Sequence, residues 1–254
     1  MRKFVRINEL MEEARQLYEL GKWRAALRAY NEAIRLEHRD ERLYFARGYL
    51  YFKLAVYFRA IEDLTSVLAI NRRFSTGQVY ELRGSAYFEV GDYKNTISDL
   101  TKAIESVPES ADARLKRGIS YMKTGRHKEA IADFEALLRH DRYEKAASVA
   151  LGECYAELGQ YVRAVEHYSR FASLDVSSAW IYLKRAEVYE RSGDMCAAML
   201  DYTGLVGFYT DLIKDSPAQG WLYAARGLVL ERMGRPRDSK EDYRRADQLS
   251  GYLN

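Results

Sequence analysis

The sequence predicts an all-α solenoid of about seven antiparallel helix pairs, and three observations lead there. Arg-Gly recurs at 47–48, 83–84, 117–118 and 226–227, with a Tyr three residues after the Gly in the first three cases. A second mark follows seven residues after each such small residue, at Ala55, Gly91, Gly125, Gly159, Gly193 and Gly234, and Gly21 marks one more unit. Only 3 of the 254 residues are Pro, and Pro breaks a helix interior at a cost of about 3 kcal/mol. A period of about 34 residues with helical patterning is the signature of stacked helix pairs that cannot bury their apolar faces alone.

The units fall near 7–40, 41–76, 77–110, 111–144, 145–178, 179–219 and 220–254 and read as a single domain, 1–254. The first is marked by Gly21. The second carries Arg47-Gly48 and Tyr51, with Ala60 as the small residue of its second helix. The third carries Tyr80, Gly84, Tyr87, Gly91 and Tyr93, then Leu100, Ala103 and Pro108. In the fourth, Leu115, Ile119 and Met122 recur at helical spacing between Ala111 and Thr124, and Gly125 ends that helix because Gly tolerates the left-handed conformation. Its second half, Lys128 to His140, sets Ala130, Ile131, Phe134, Leu137 and Leu138 on one broad stripe. The fifth diverges to Leu151-Gly152 but keeps Tyr155, Gly159, Tyr161, Ala164 and Tyr168.

The sixth, with Arg185-Ala186 and Tyr189, is seven residues longer than the usual 34. The run Met195 to Lys214 lacks Pro and reads as one long helix ending before Ser216-Pro217. Two readings of the extension stand side by side: a local irregularity, or a projecting ridge offering Phe208, Tyr209 and Leu212 to a partner. The last helix, Pro236 to Leu249, has only Tyr243, Ala246 and Leu249 as buried positions, as suits a terminal cap with a polar outer face.

Composition narrows the function classes. Apolar residues at 48% can build a core, and 40 basic against 37 acidic side chains leave no concentrated positive charge for nucleic acid. Cys154 and Cys196 form neither a CxxC motif nor a disulfide framework. The absence of an apolar membrane stretch and of a leader's apolar core predicts no membrane insertion and a cytoplasmic or nuclear location. No P-loop, GxSxG or HExxH occurs. His38-Arg39-Asp40 lacks the Asn a kinase loop requires five residues on, where Phe45 stands, and His127 and His140 are not at metal-ligand spacing. No enzyme activity, metal or cofactor is expected.

The quoted residues resemble the tetratricopeptide repeat (TPR), over nearly the whole chain. That family places a large residue, a Leu-Gly pair and a Tyr on the first helix, a Gly-x-Tyr turn, then Ala, an aromatic and Ala on the second helix; Thr96 departs from it where Ala is usual. The resemblance implies a right-handed superhelix whose first helices line a concave, peptide-binding groove. By the same resemblance the groove exposes Phe45, Tyr49, Phe52 and Phe88, then Leu115, Ile119 and Met122, with Lys53 and Lys123 at the rim. Later units present Glu153, Glu157, Glu187, Glu190 and Glu231, with Trp180, Trp221, Arg191 and Arg232. A groove apolar in its first half and acidic in its second would take a protein segment with apolar anchors and a basic flank. The competing reading packs several of these aromatics between adjacent first helices.

Some TPR domains bind the C-terminal carboxylate of chaperones through Lys and Asn on three successive first helices. The corresponding places hold Met11 and Arg15, Ala46, Gln78 and Leu82, or, one unit later, Phe45 and Tyr49, Leu82, Asp112 and Lys116. Neither set fits. The leading function is therefore a non-catalytic interaction scaffold, with a self-associating module or an RNA-binding helical repeat as alternatives.

Where the family has Leu before the Gly, this chain often has Arg, and an Asp follows sixteen residues later: Arg47/Asp63, Arg83/Asp99, Arg117/Asp133, Arg185/Asp201 and Arg226/Asp242. The first and fifth units, with Glu13 and Leu151 there, also lack the Asp, holding Ala29 and His167. This joint presence and absence predicts a structural, partly buried salt bridge within each unit that has both residues.

Overall fold

A computed structural model describes residues 2–71, 76–175 and 178–250, which form fourteen α-helices and, among the described residues, no strand. Residues 1–137 make one compact unit and residues 138–254 another. The first contains α1 (Arg2–Glu19), α2 (Trp23–Leu36), α3 (Glu41–Lys53), α4 (Tyr57–Ile70), α5 (Thr76–Glu89), α6 (Tyr93–Ser106), α7 (Ala111–Lys123) and α8 (His127–Leu137). The second contains α9 (Asp141–Glu157), α10 (Tyr161–Leu174), α11 (Ala179–Ser192), α12 (Met195–Asp215), α13 (Gly220–Arg232) and α14 (Pro236–Ser250).

Each pair turns through the same bend. Six Gly residues there have φ between 68° and 85°, and Ala55 takes φ 57° in the remaining turn, that of the second pair. The bond pattern is shared too: Ala55 N–H donates to the Phe52 carbonyl and Val56 N–H to that of Tyr51, as Gly91 and Asp92 do to Phe88 and Tyr87. Close approach of the two helices depends on the small residue of the first. A Cβ on Gly118 would lie 2.9 Å from the Phe134 ring, one on Gly84 would lie 2.8 Å from Leu100, and one on Gly152 would enter the Tyr168 ring. In each case the partner stands sixteen residues on.

The same offset places the arginine–aspartate pairs. Arg117 Nε donates to Asp133 Oδ2 at 2.8 Å and its Nη2 to Oδ1 at 2.6 Å. Arg83 grips Asp99 in the same way at 2.7 and 3.0 Å, and Arg185 grips Asp201 at 2.9 and 2.6 Å. Arg47 with Asp63 and Arg226 with Asp242 repeat the two-point contact. The remaining nitrogen, Nη1, reaches the second helix of the preceding pair. It donates to Asn31 from Arg47, Thr65 from Arg83, Thr101 from Arg117, Ser169 from Arg185 and Thr210 from Arg226. Each guanidinium therefore joins three helices. Tyrosines at i−3 and i+4 on its own helix flank it: Tyr44 and Tyr51 lie 5.7 and 5.9 Å from Arg47, and Tyr80 and Tyr87 both lie 5.8 Å from Arg83. In the fifth pair His167 stacks on Tyr155 at 5.4 Å instead. Burial pushes the Asp63 carboxyl above its ordinary range even though Arg47 holds it with two hydrogen bonds.

The salt bridges are partly buried, as expected, and the burial falls mainly on the carboxylates. The carboxylates Asp63, Asp99, Asp133, Asp201 and Asp242 are all buried, with Asp99 at 3% exposure and Asp201 at 9%. The reason is position: each Asp sits on the face of the second helix that meets the first, next to the small residue's contact. Asp99 Cβ, for example, would stand 3.2 Å from a Cβ on Gly84. Asp99 and Asp201 are thus core residues, closed off by Arg83 and Arg185, and neither presents a carboxylate to a ligand.

The helix expected to run to His140 stops at Leu137, and α9 starts at Asp141 rather than near 145. Asp141 and Glu144 occupy the first turn of α9, where negative charge suits the helix dipole. The extended α12 is one helix of 21 residues. Arg226 grips it at Thr210, two turns beyond Thr203, the place equivalent to Ser169 on α10, so the final helix pair docks farther along it. Tyr209 packs beside the core formed by Ala198, Tyr202, Leu205 and Val229, and Leu212 is half-buried, leaving Phe208 as the exposed member of the expected trio. In α14 the buried residues are Ser239, Asp242, which receives Arg226, and Ala246, while Tyr243 and Leu249, expected to be buried, are half-buried.

Candidate functional site

Within residues 1–137, the first helices α3, α5 and α7 enclose an open cleft of about 760 Å³. Phe45, Tyr49, Phe52 and Lys53 of α3 line one side of it. Gln78, Glu81, Leu82 and Ser85 of α5 and Asp112 and Lys116 of α7 complete it. A smaller cleft of about 280 Å³ lies between α1 and α3, bordered by Arg15, Tyr18, Tyr30 and Leu50. Phe45 and Tyr49 belong to both clefts and stand between them.

The rings are held in place rather than loose. Phe52 meets Tyr57 edge to face at 5.7 Å, and Phe88 meets Tyr93 at 6.2 Å. The Lys116 ammonium lies 5.9 Å from the Phe52 ring and 5.8 Å from that of Phe88, and 3.8 Å from Glu89. Lys53 sits 5.3 Å from the Tyr49 ring. Tyr49 remains 40% exposed, so its face is open to a ligand.

Of the residues expected in the groove, Phe45, Tyr49, Phe52 and Lys53 come together in this cleft. Phe88 adjoins it through Lys116. Leu115, Ile119 and Met122 are half-buried on α7 outside the lining, and Lys123 is exposed as the last residue of α7. Gln78, Leu82, Asp112 and Lys116, the places compared above with chaperone-tail binders, also line the cleft, whereas Glu81 and Ser85 were not named although they occupy the same unit positions as Phe45 and Tyr49.

Within residues 138–254, the expected acidic face is largely neutralised. Arg191 donates to Glu157 at 3.0 Å and to the Ala156 carbonyl at 2.9 Å. Arg232 stands 3.6 Å from Glu187 and 3.4 Å from Glu190, Lys184 stands 3.9 Å from Glu153, and Glu231 accepts from the Tyr243 hydroxyl at 3.0 Å. These cations come from the following first helix, one unit on. Among the described residues, no group of three or more His, Cys, Asp or Glu could hold a metal ion, and no helix is long and apolar enough to cross a membrane.

The folded chain is thus a tandem array of helix pairs with a small residue, a turn and an aromatic at fixed offsets. Profiles described as Tetratricopeptide repeat match residues 81–144 and 115–179, and one described as TPR repeat matches residues 14–54, together more than half of the chain. The chain belongs to the tetratricopeptide repeat family. No curated protein matches it significantly. Among solved structures, a tetratricopeptide repeat protein from Parabacteroides merdae is 20% identical with a TM-score of 0.62, covering 96% of this chain and 93% of that one. The C-terminal part of a TPR repeat-containing protein from Cytophaga hutchinsonii is 18% identical with a TM-score of 0.68, covering 94% and 92%. YrrB, described as a TPR protein with an unusual peptide-binding site, is 20% identical with a TM-score of 0.62, covering 68% and 88%. At these identities the likeness is one of fold.

Proposed function

We propose that this chain is a non-catalytic scaffold that binds a segment of a partner protein in the cleft over α3, α5 and α7. The observation that carries the reading is the cleft itself: about 760 Å³ open to solvent, floored by Phe45, Phe52 and Leu82 and rimmed by charge. An apolar patch with a charged rim is the usual form of a partner site, and a segment with apolar side chains fills such a groove. The fold shared with YrrB, whose description mentions a peptide-binding site, supports the same reading. A single repeat domain over 1–254 and a cytoplasmic setting belong to this proposal; the free Cys154 and Cys196 support a reducing compartment.

The test is capture from a lysate of the source cells by the full chain and by a Phe45→Ala/Phe52→Ala variant, with and without nuclease. The scaffold reading expects proteins that the variant loses and that survive nuclease. If the variant keeps every captured protein, the cleft is not the site, and capture that nuclease abolishes would favour the RNA reading.

A further inference from the structure

The cleft is electrically polarised along its helices. Lys53 is the last residue of α3, and the Lys116 ammonium lies beside Phe52 and Phe88 in the last turns of α3 and α5, so both cations gather at one end. Glu89, 3.8 Å from Lys116, shares that end from outside the lining, and the two carboxylates that line the cleft gather at the other. Asp112 is in the first turn of α7, and Glu81 accepts a hydrogen bond at 2.9 Å from Ser110, the N-cap of that helix. Phe45 and Leu82 lie on the lining with these two charged ends.

We propose that the cleft takes a segment of a partner protein in which an apolar anchor is flanked on one side by an acidic side chain and on the other by a basic one. The proposal rests on the cleft being the binding site and adds the chemistry of its occupant. The acidic side chain faces Lys53 and Lys116, the anchor lies against Phe45 and Phe52, and the basic side chain faces Glu81 and Asp112. Lys53 and Asp112 occupy the thirteenth and second places of α3 and α7, an axial offset of about 16 Å at 1.5 Å per residue, and α5 lies between the two helices, which adds a lateral step of about 18 Å at the usual interaxial distance. An extended chain covers the resulting span of about 24 Å in about seven residues. The two charged ends also set the direction in which the segment lies, since reversal brings like charges together.

The experiment selects a random dodecapeptide display library on the full chain. The expected peptides carry an acidic and a basic residue about seven apart across a large apolar one. Replacing the acidic residue of such a peptide by Gln should weaken binding about fivefold, as exposed pairs allow, with the difference shrinking at high salt. A Lys53→Glu/Lys116→Glu chain should lose these peptides and select others that are basic at both ends. A Lys53→Gln/Lys116→Gln chain should show the same loss and replaces the Glu variant if that one loses its helical spectrum. Enriched peptides that need Phe45 and Phe52 but ignore their own charges would overturn the polarity while leaving the cleft as the site. Enriched peptides that all bind a Phe45→Ala/Phe52→Ala chain unchanged would overturn both.

Discussion

Replacing Arg117 by Ala removes three hydrogen bonds at once, and their costs follow from the burial of the groups left behind. Asp133, whose side chain is 2% exposed, loses its two partners at 2.8 and 2.6 Å. Thr101 loses a donor at 3.1 Å. Breaking a buried ion pair by deleting one member costs about 3–5 kcal/mol. Arg114 Nη1 lies 3.5 Å from Asp133 Oδ1 and can take up part of the charge, which places Arg117→Ala at about 3 kcal/mol, the low end of that range. Asp133→Ala leaves a guanidinium that is 15% exposed and still bonded to Thr101, so its cost is about 2 kcal/mol. The double variant should cost about 3 rather than 5 kcal/mol, a coupling of about 2 kcal/mol. Thr101→Val should cost about 1 kcal/mol alone and little more in the Arg117→Ala background. The assay is urea denaturation at pH 7 followed by helical circular dichroism, with the full cycle measured. A coupling between Arg117 and Asp133 below about 0.5 kcal/mol would equate the pair with an exposed one and refute its burial. Strict additivity of Thr101→Val and Arg117→Ala would refute the bond between successive pairs.

Three further outcomes are expected. Gly118→Ala sets a Cβ against the fully buried Phe134 ring and should destabilise by about 1–3 kcal/mol, whereas Gly204→Ala, whose Cβ meets nothing within 4 Å, should stabilise by up to about 1 kcal/mol; equal effects in a denaturation curve would contradict the packing. Ala55→Gly relieves a left-handed φ of 57° and should raise stability by about 1 kcal/mol, so an unchanged or lowered urea midpoint counts against the turn assignment. Cys196 is exposed, while burial, helped by the neighbouring Glu153, pushes the Cys154 thiol up to about 12. Ellman's reagent at pH 8 should therefore titrate one thiol in the native protein and the second only in denaturant; two thiols reacting at the same rate would place Cys154 outside the core.

The repeat was legible because each of its marks is local and recurs. A Gly that must bend the chain, a small residue opposite a large one sixteen places on, and an Arg matched to an Asp at that same offset are all visible within one unit. The depth of those carboxylates was not, since the burial of Asp99 and Asp201 depends on how closely their two helices pack. The tyrosines were legible in position but not in purpose. Tyr51, Tyr80 and Tyr87 stood out only as marks of the repeat, and the structure shows that they and Tyr44 flank the guanidiniums of Arg47 and Arg83. The cleft was half legible. Phe45, Tyr49 and Phe52 follow from their unit positions, and Leu82, Asp112 and Lys116 from the places that chaperone-tail binders use, while the seating of the Lys116 ammonium beside the Phe52 and Phe88 rings depends on how three first helices pack. On the acidic face, Arg191 and Arg232 were legible as neighbours of the glutamates, but their pairing across units, with Glu157 and with Glu187 and Glu190, was not.

By itself, then, the sequence determined the helices, their pairing and the offset that joins each pair, because helical period and backbone sterics act over a few tens of residues. Contacts between pairs were decided only in the tertiary structure. There Nη1 of each arginine finds the preceding helix, the final pair slides two turns along α12 to meet Thr210, and cations and carboxylates separate to opposite ends of one cleft. Those outcomes depend on which surfaces meet once apolar faces are buried, and stacking geometry rather than spacing along the chain sets that meeting.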